Sequence, residues 1–299
     1  MNVNLNKKRK IISIKYLSNI KDEIIYGGYY TALGGPAFII ITSILTKVPI
    51  PLPLLIISYL IPLMVYSYDY YKDMDKDKDT NIERAAHFNK KAQIYPYLMI
   101  SYVIALTVLL ILFTNITMIS YILILITVGV LYTLGSKKLT QKIPAFKNIY
   151  TTLTWTLAGT FTIAFYYSIQ INLTYILIFI FLFLKFLPNT IFFDLKDIKA
   201  DQKEGLKTLP VILGKQKTLK ILDIINLIAF IPLFIGIYLK LIPLFAASLI
   251  IFYFYSKYYL NKTNTIDNKE LRMIGNTLAD AEFIVWWPIV LLIGQLIFI

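Results

Sequence analysis

Apolar residues along this chain gather into long unbroken runs instead of alternating with polar ones. Nine runs stand out, near residues 25–46, 50–68, 94–114, 117–134, 148–168, 171–193, 218–239, 241–260 and 279–299. A bilayer core needs about 20 apolar residues per helical span. Backbone groups inside lipid must be satisfied within their own segment, so runs of this kind predict helices. A membrane barrel would need alternating apolar and polar positions, which the stretch Ile178 to Phe183 lacks. The expected fold class is therefore an all-α integral membrane protein with nine transmembrane helices.

The polar connections have their own alternation. Those after runs 1, 3, 5 and 7 are short, with Lys47 and Lys240 as their only basic residues. Those after runs 2, 4, 6 and 8 are longer and basic: Lys72 to Lys91, Lys137 to Lys147, Lys196 to Lys217, and Lys257 to Arg272. Lys7, Lys8, Arg9 and Lys10 lead the N-terminus. By the positive-inside rule, the N-terminal segment 1–24 and the long loops are expected in the cytoplasm and the C-terminus outside. No small-residue cleavage site follows the first run, so that segment does not read as a cleavable signal. Residues 25–299 read as a single membrane domain.

Composition agrees with this pattern and closes off other classes. The chain is 58% apolar and 16% charged, against an apolar share of about 45–50% in soluble proteins. A soluble fold, a disordered chain and a disulfide scaffold are excluded, and with no cysteine there is no thiolate chemistry. Thirty Lys and Arg against 17 Asp and Glu leave a net charge of +13. In this setting most of that charge is an orientation signal, and no nucleic-acid partner is implied.

The acidic residues are distributed differently. Asp69, Asp73, Asp75, Asp77, Asp79 and Glu83 crowd the loop region 69–93, and Asp194, Asp197, Asp201 and Glu204 crowd 194–217. Ten of the 17 carboxylates thus fall in two windows, each starting where an apolar run ends, four runs apart. The placement suggests two four-helix halves with a ninth helix added around a central cavity. In the first window, steps of four put Asp69, Asp73 and Asp77 on one face if the helix continues outward. In the second, steps of three and four do the same for Asp194, Asp197 and Asp201, and Gly205 can end that helix. Carboxylates so placed repel unless a cation lies between them, and magnesium binds through one or two carboxylates plus substrate phosphates. The interleaved Lys72, Lys76 and Lys78 leave a solvated mixed-charge loop open as the other reading of the first window. Two such combs on one membrane face point more strongly to a site for a magnesium-bound polyphosphate.

These residues carry a resemblance. One aspartate window after the second span and one after the sixth, in a nine-span chain, resemble the UbiA superfamily of intramembrane prenyltransferases. The family's first motif, Asn-x-x-x-Asp-x-x-x-Asp, has Asp69, Asp73 and Asp77 in its three positions. The second, Asp-x-x-Asp-x-x-x-Asp-x-x-x-Gly-x-x-Thr-Leu-Pro, is met without a gap from Asp194 to Pro210. The family's Arg after the first motif falls on Arg84, its Tyr and Lys closing the fourth span fall on Tyr132 and Lys137, and Lys147 leads into the fifth. Asp69 stands where the family has Asn, and Tyr70 where an Asp often follows. Asn189 and Thr190 stand where archaeal lipid-forming members often carry Arg-Glu, a departure that bears on the acceptor and not on the activity.

The resemblance implies Mg2+-dependent transfer of a polyprenyl group from an isoprenyl diphosphate to a lipophilic acceptor, with release of diphosphate. The acceptor is either a prenylated glycerol phosphate or an aromatic quinone precursor. It implies Asp69, Asp73, Asp77, Asp194, Asp197 and Asp201 as metal ligands, with Asp73, Asp197 and Asp201 carrying catalysis. Arg84, Lys137, Lys147 and Tyr132 would bind the diphosphate. Tyr70, Tyr71 and Tyr132 are candidates to stabilise an allylic cation through their ring faces. Lys185 draws notice as a charge within an apolar run. It could reach the diphosphate or pair internally. His87, the single histidine, has no evident partner for metal or base chemistry. The alternative function is a polytopic transporter using the acidic loops as cation sites. Transporters, however, place ionisable groups near the bilayer midplane, and these carboxylates sit at the ends of their spans.

Overall fold

The computed structural model describes residues 21–75, 78, 82–263 and 268–297, and among them there is no β-strand. After a turn of helix at Tyr29–Ala32 the chain builds α1 (Gly34–Thr46), α2 (Leu52–Lys72), the surface helix α3 (Ile82–Lys91), α4 (Tyr95–Phe113), α5 (Ile116–Leu134) and α6 (Phe146–Tyr166). It continues with α7 (Leu173–Phe192), a 3₁₀ turn at Phe193–Lys196, and the short α8 (Ile198–Lys203). Then come α9 (Leu209–Ile228), α10 (Phe230–Tyr238), a 3₁₀ stretch Leu244–Ile250 running into α11 (Ile251–Lys262), α12 (Asn268–Ile274) and α13 (Trp287–Ile297).

The apolar runs are largely helical, but among the described residues six helical stretches are long and apolar enough to cross a membrane by themselves: Tyr29–Thr46, Leu52–Lys72, Tyr95–Phe113, Leu173–Lys196, Leu209–Tyr238 and Thr277–Ile297. The other three runs differ for physical reasons. In α5 the apolar part, Ile116–Tyr132, is short. The 21-residue α6 is diluted by threonines, whose hydroxyls donate back to carbonyls one turn earlier: Thr154 to Tyr150 O at 2.9 Å and Thr156 to Thr152 O at 2.8 Å. Such bonds satisfy the hydroxyls within the helix. The eighth run begins as 3₁₀ helix after Pro243 and ends in the polar Lys257, Asn261 and Lys262.

Two large apolar cores hold the bundle, and a third, smaller cluster joins the end of α7 to α9, α11 and α12. One large core is built from α2, α4 and α5 with Ile39 of α1 and Ile163 of α6. The other joins α7, α10, the 244–250 stretch and α13 with Phe38 of α1. Adjacent residues of α1 therefore serve different cores, and α6 packs its Ile163 with the first half although it is the fifth run. The division into two fours is blurred at those two helices. Close packing of α1 on α2 depends on Gly35, because a Cβ there would lie 1.9 Å from the Ser58 carbonyl oxygen. α13 packs against α1, so the last helix closes the bundle on the first.

Candidate active site

Helix α2 runs without interruption through the start of the first acidic window. Asp69 lies in its last turns, and Asp73 is the C-cap, its backbone N–H donating to Asp69 O at 2.9 Å. The one-face expectation thus holds for this pair. Asp77 lies outside the described residues, as does the side chain of Lys137. α3 then folds back and sets the Arg84 guanidinium 4.1 Å from the centroid of the Tyr70 ring, a cation–π placement that orients the arginine.

In the second window the helix does not stay α-helical. It tightens to 3₁₀ over Phe193–Lys196, and Asp197 forms the junction to α8 with φ −105° and ψ 7°. Asp194 and Asp201 nevertheless converge on one cation: Lys147 Nζ is 2.9 Å from Asp194 Oδ1 and 3.1 and 3.0 Å from the two oxygens of Asp201. Asp197 turns to its neighbour Lys196 at 2.5 Å. The loop before α6 is fastened to this window by two backbone bonds, Lys207 N–H to Thr140 O at 2.8 Å and Ala145 N–H to Lys207 O at 2.9 Å. That bridge brings Lys147 to its carboxylates across more than 40 residues of chain. Gly205, with φ +70°, makes the turn that ends α8.

Both windows open on one cavity of about 330 Å³. Asp69, Tyr70 and Arg84 line it from the first, Asp194, Lys196 and Asp197 from the second, with Tyr132 and Lys147 between. Part of its remaining wall is aromatic, with Phe38, Trp155, Phe186 and Phe283 and ring centroids 5.1 Å apart for Phe38–Phe186 and for Phe186–Phe283, and part is polar, with Asn148, Thr151, Asn189 and Thr190. Trp155 Nε1 donates to the Tyr66 hydroxyl at 2.9 Å. An apolar slot lined by Gly35, Ile61, Leu125 and Gly129 shares Phe38, Tyr66 and Trp155 with the cavity and continues it between the helices. Charged groups at one end and a dry groove beyond suit a ligand with an ionic head and a hydrocarbon tail.

Among the described residues no three Asp, Glu or His side chains come close enough to enclose a metal ion by themselves. The donor set fits a metal that arrives with phosphate. Carboxylates from two helices face one cavity, and Asp194 Oδ2 is buried without a hydrogen bond of good geometry. Magnesium takes one or two protein carboxylates and fills its shell with phosphate and water.

Several expected residues stand elsewhere. Asp73 and Asp201 are buried, with 9% and 6% exposure, but do not line the cavity. Tyr71 stacks on Tyr95 at 4.5 Å, away from it. Lys185 does not reach towards the acidic windows. It bonds Asn226 Oδ1 at 2.5 Å, Ser256 Oγ at 2.6 Å and Phe252 O at 3.0 Å, and it pairs with Glu282 at 2.9 Å. The hydropathy pattern passes over Asp280 and Glu282, both in the ninth run, and over the aromatic wall. Two carboxylates in an apolar stretch were the available signal; nothing in sequence spacing marks which phenylalanines meet.

Comparison with known proteins gives three findings. A model described as the UbiA prenyltransferase family matches residues 89–279, which include the second acidic window and leave out the first. No protein of curated function matches the sequence. Two solved structures share the fold. One, of a digeranylgeranylglyceryl phosphate synthase, is 17% identical with a TM-score of 0.59, covering 93% of this chain and 98% of its own. The other, the apo structure of a UbiA homolog from Aeropyrum pernix K1, is 12% identical with a TM-score of 0.60, covering 90% and 98%.

Proposed function

Since the chain belongs to the UbiA prenyltransferase family, and is a multi-pass membrane prenyltransferase by class, we propose that it transfers a polyprenyl group from an isoprenyl diphosphate to a lipophilic acceptor. The acceptor is a prenylated glycerol phosphate or an aromatic quinone precursor. The observation that carries the reading is the meeting of two distant acidic windows on one cavity whose remaining wall is in part aromatic. The proposal includes nine membrane crossings, with the N-terminus and both windows in the cytoplasm.

Magnesium bound with the donor supplies neutralisation of the leaving diphosphate's charge. Asp69, Asp194 and Asp197 would hold it from the cavity wall, and Asp73, Asp77 and Asp201 are assigned to the same role by their places in the two motifs. Arg84 offers a bidentate fork to phosphate oxygens. Tyr132 lines the same end, and Lys137 is assigned to the diphosphate by its place after the fourth span. Lys147, already shared by Asp194 and Asp201, holds both carboxylates turned to one side and adds positive charge where the diphosphate leaves. Such preorganised charge stabilises developing charge without reorganisation cost. The aromatic wall excludes water, which would otherwise capture the allylic cation.

The test is purified full-length protein in lipid nanodiscs with Mg2+, labelled geranylgeranyl diphosphate and each acceptor class. Asp73→Ala and Asp201→Ala should each abolish transfer, as should chelation of the metal. Undiminished transfer by either variant overturns the assignment of that residue.

A further inference from the structure

The cavity holds one carboxylate that belongs to neither acidic window. Asp280 lines it from the last membrane segment, together with Phe283 and Ile284 one turn further on. The other carboxylates of the cavity are engaged: Asp194 with Lys147, Asp197 with Lys196, and Asp69 with a partner of its own. No described residue makes a hydrogen bond or ion pair to Asp280. An ionisable side chain within a membrane segment and without a cation is costly to keep and marks a functional position.

The backbone around Asp280 is unusual as well. It sits between two π-helical turns, Gly275–Ala279 and Glu282–Trp286, and π-bulges concentrate at functional sites. Two neighbours hold this stretch in place. Asn189 Nδ2 donates to Ala279 O at 2.9 Å, tying it to α7. Glu282 turns away from the cavity into the bonds of Lys185, Ser256 and Tyr259. Asp280 is thereby fixed on the aromatic side of the cavity.

Resting on the prenyl-transfer reading, we propose that Asp280 is the catalytic base that takes the proton released by the acceptor. As the bond from the donor's C1 to the diphosphate oxygen breaks, its electron pair leaves with the diphosphate. The acceptor's hydroxyl oxygen forms a bond to C1, and its proton passes to the Asp280 carboxylate. The window carboxylates are less suited to this step because Lys147 and Lys196 already pair with Asp194 and Asp197 and the metal that comes with the diphosphate would take the oxygens left over. Asp280 has no hydrogen bond or ion pair from a described residue, and Phe283 and Ile284, which line the cavity with it, offer apolar surface to an acceptor's hydrocarbon. The step as written takes an alcohol as acceptor, a prenylated glycerol phosphate with a free hydroxyl.

The experiment uses the full chain in nanodiscs with Mg2+ and labelled geranylgeranyl diphosphate, with geranylgeranylglyceryl phosphate as acceptor. It measures the ether product, the alcohol formed when water captures the donor, and donor affinity. In Asp280→Asn, which keeps the shape of the side chain, ether formation should fall about 10²–10⁴-fold, the usual range for a lost general base. The ratio of alcohol to ether should rise by a similar factor, with donor affinity within threefold of the parent. Asp280→Glu, which restores the carboxylate, should recover part of the ether yield. An unchanged ratio in Asp280→Asn overturns the proposal. So does loss of donor binding together with both products, since that would place Asp280 in the donor site or in the fold. Parent protein that forms neither ether nor alcohol fails the prenyl-transfer reading itself, a separate outcome.

Discussion

Two lysine–carboxylate clusters, one around Lys185 and one around Lys147, differ in what is left over. Lys185, deep in the second core, is 2% exposed and has four oxygen partners from three other helical segments: Asn226 of α9, Phe252 and Ser256 of α11, and Glu282. Glu282 is itself bonded by Ser256 and Tyr259. That network is closed and joins the last helices of the bundle. Lys147 sits at the cavity with Asp194 and Asp201, and there Asp194 Oδ2 has no hydrogen bond of good geometry. Similar pairings thus serve two ends. The saturated cluster specifies packing, and the unsaturated one has acceptor capacity for a ligand.

The largest effect should come from opening the closed network. Lys185→Met leaves Glu282 as an uncompensated buried charge, and removing one partner of a buried pair costs about 3–5 kcal/mol. Thermal unfolding should show a steep loss of stability. Replacing both partners, Lys185→Met with Glu282→Leu, should recover most of it, because the burial penalty disappears with the pair. A double variant as unstable as the single would show that the pair itself is indispensable.

Breaking the open cluster should act on activity instead. Asp194→Asn keeps the side-chain volume but weakens the hold on Lys147, and turnover should fall about 10²–10³-fold, the scale of losing one preorganised electrostatic contact. The melting temperature should stay near the parent's. A large fall in stability with little loss of turnover would reverse the roles drawn for the two clusters.

A packing change tests the frame that both clusters hang on. Gly35→Ala puts a methyl against the Ser58 carbonyl at a helix–helix contact with no room for it. Overpacking of this kind costs about 1–3 kcal/mol, and the displacement of α1 from α2 should also lower turnover, since both helices line the cavity.

The smallest effect concerns pH. His87 on α3 lies 3.5 Å from Glu23, and burial holds its imidazole below the usual pKa despite that carboxylate's pull. A histidine in this state resists protonation in the folded protein. Its contribution to stability is present above the unfolded-state value of about 6.5 and is lost as pH falls below it. His87→Gln should flatten the acid side of a plot of melting temperature against pH, and an unchanged slope would assign that slope to other groups.

Much of this molecule is legible in its residues. Runs of apolar residues near the length of a bilayer dictate helices, because lipid offers the backbone no other partner. Basic residues gather in alternate connections, and the spacing from Asp194 to Pro210 carries the motif that pointed to the family. These are local properties, set within a turn or two of chain. Tertiary structure alone decided which groups meet. It sent Lys185 to Glu282 and away from the acidic windows, it moved Asp73 and Asp201 off the cavity wall, and it brought Phe38, Trp155, Phe186 and Phe283 into one surface. It also placed Asp280, invisible to a hydropathy window that averages it away, in the same cavity as Asp69 and Asp194. The physical reason is that pairing inside a bundle depends on helix rotation and crossing. Those are fixed by contacts between residues far apart in the chain, such as Gly35 against Ser58, and no short-range pattern encodes them.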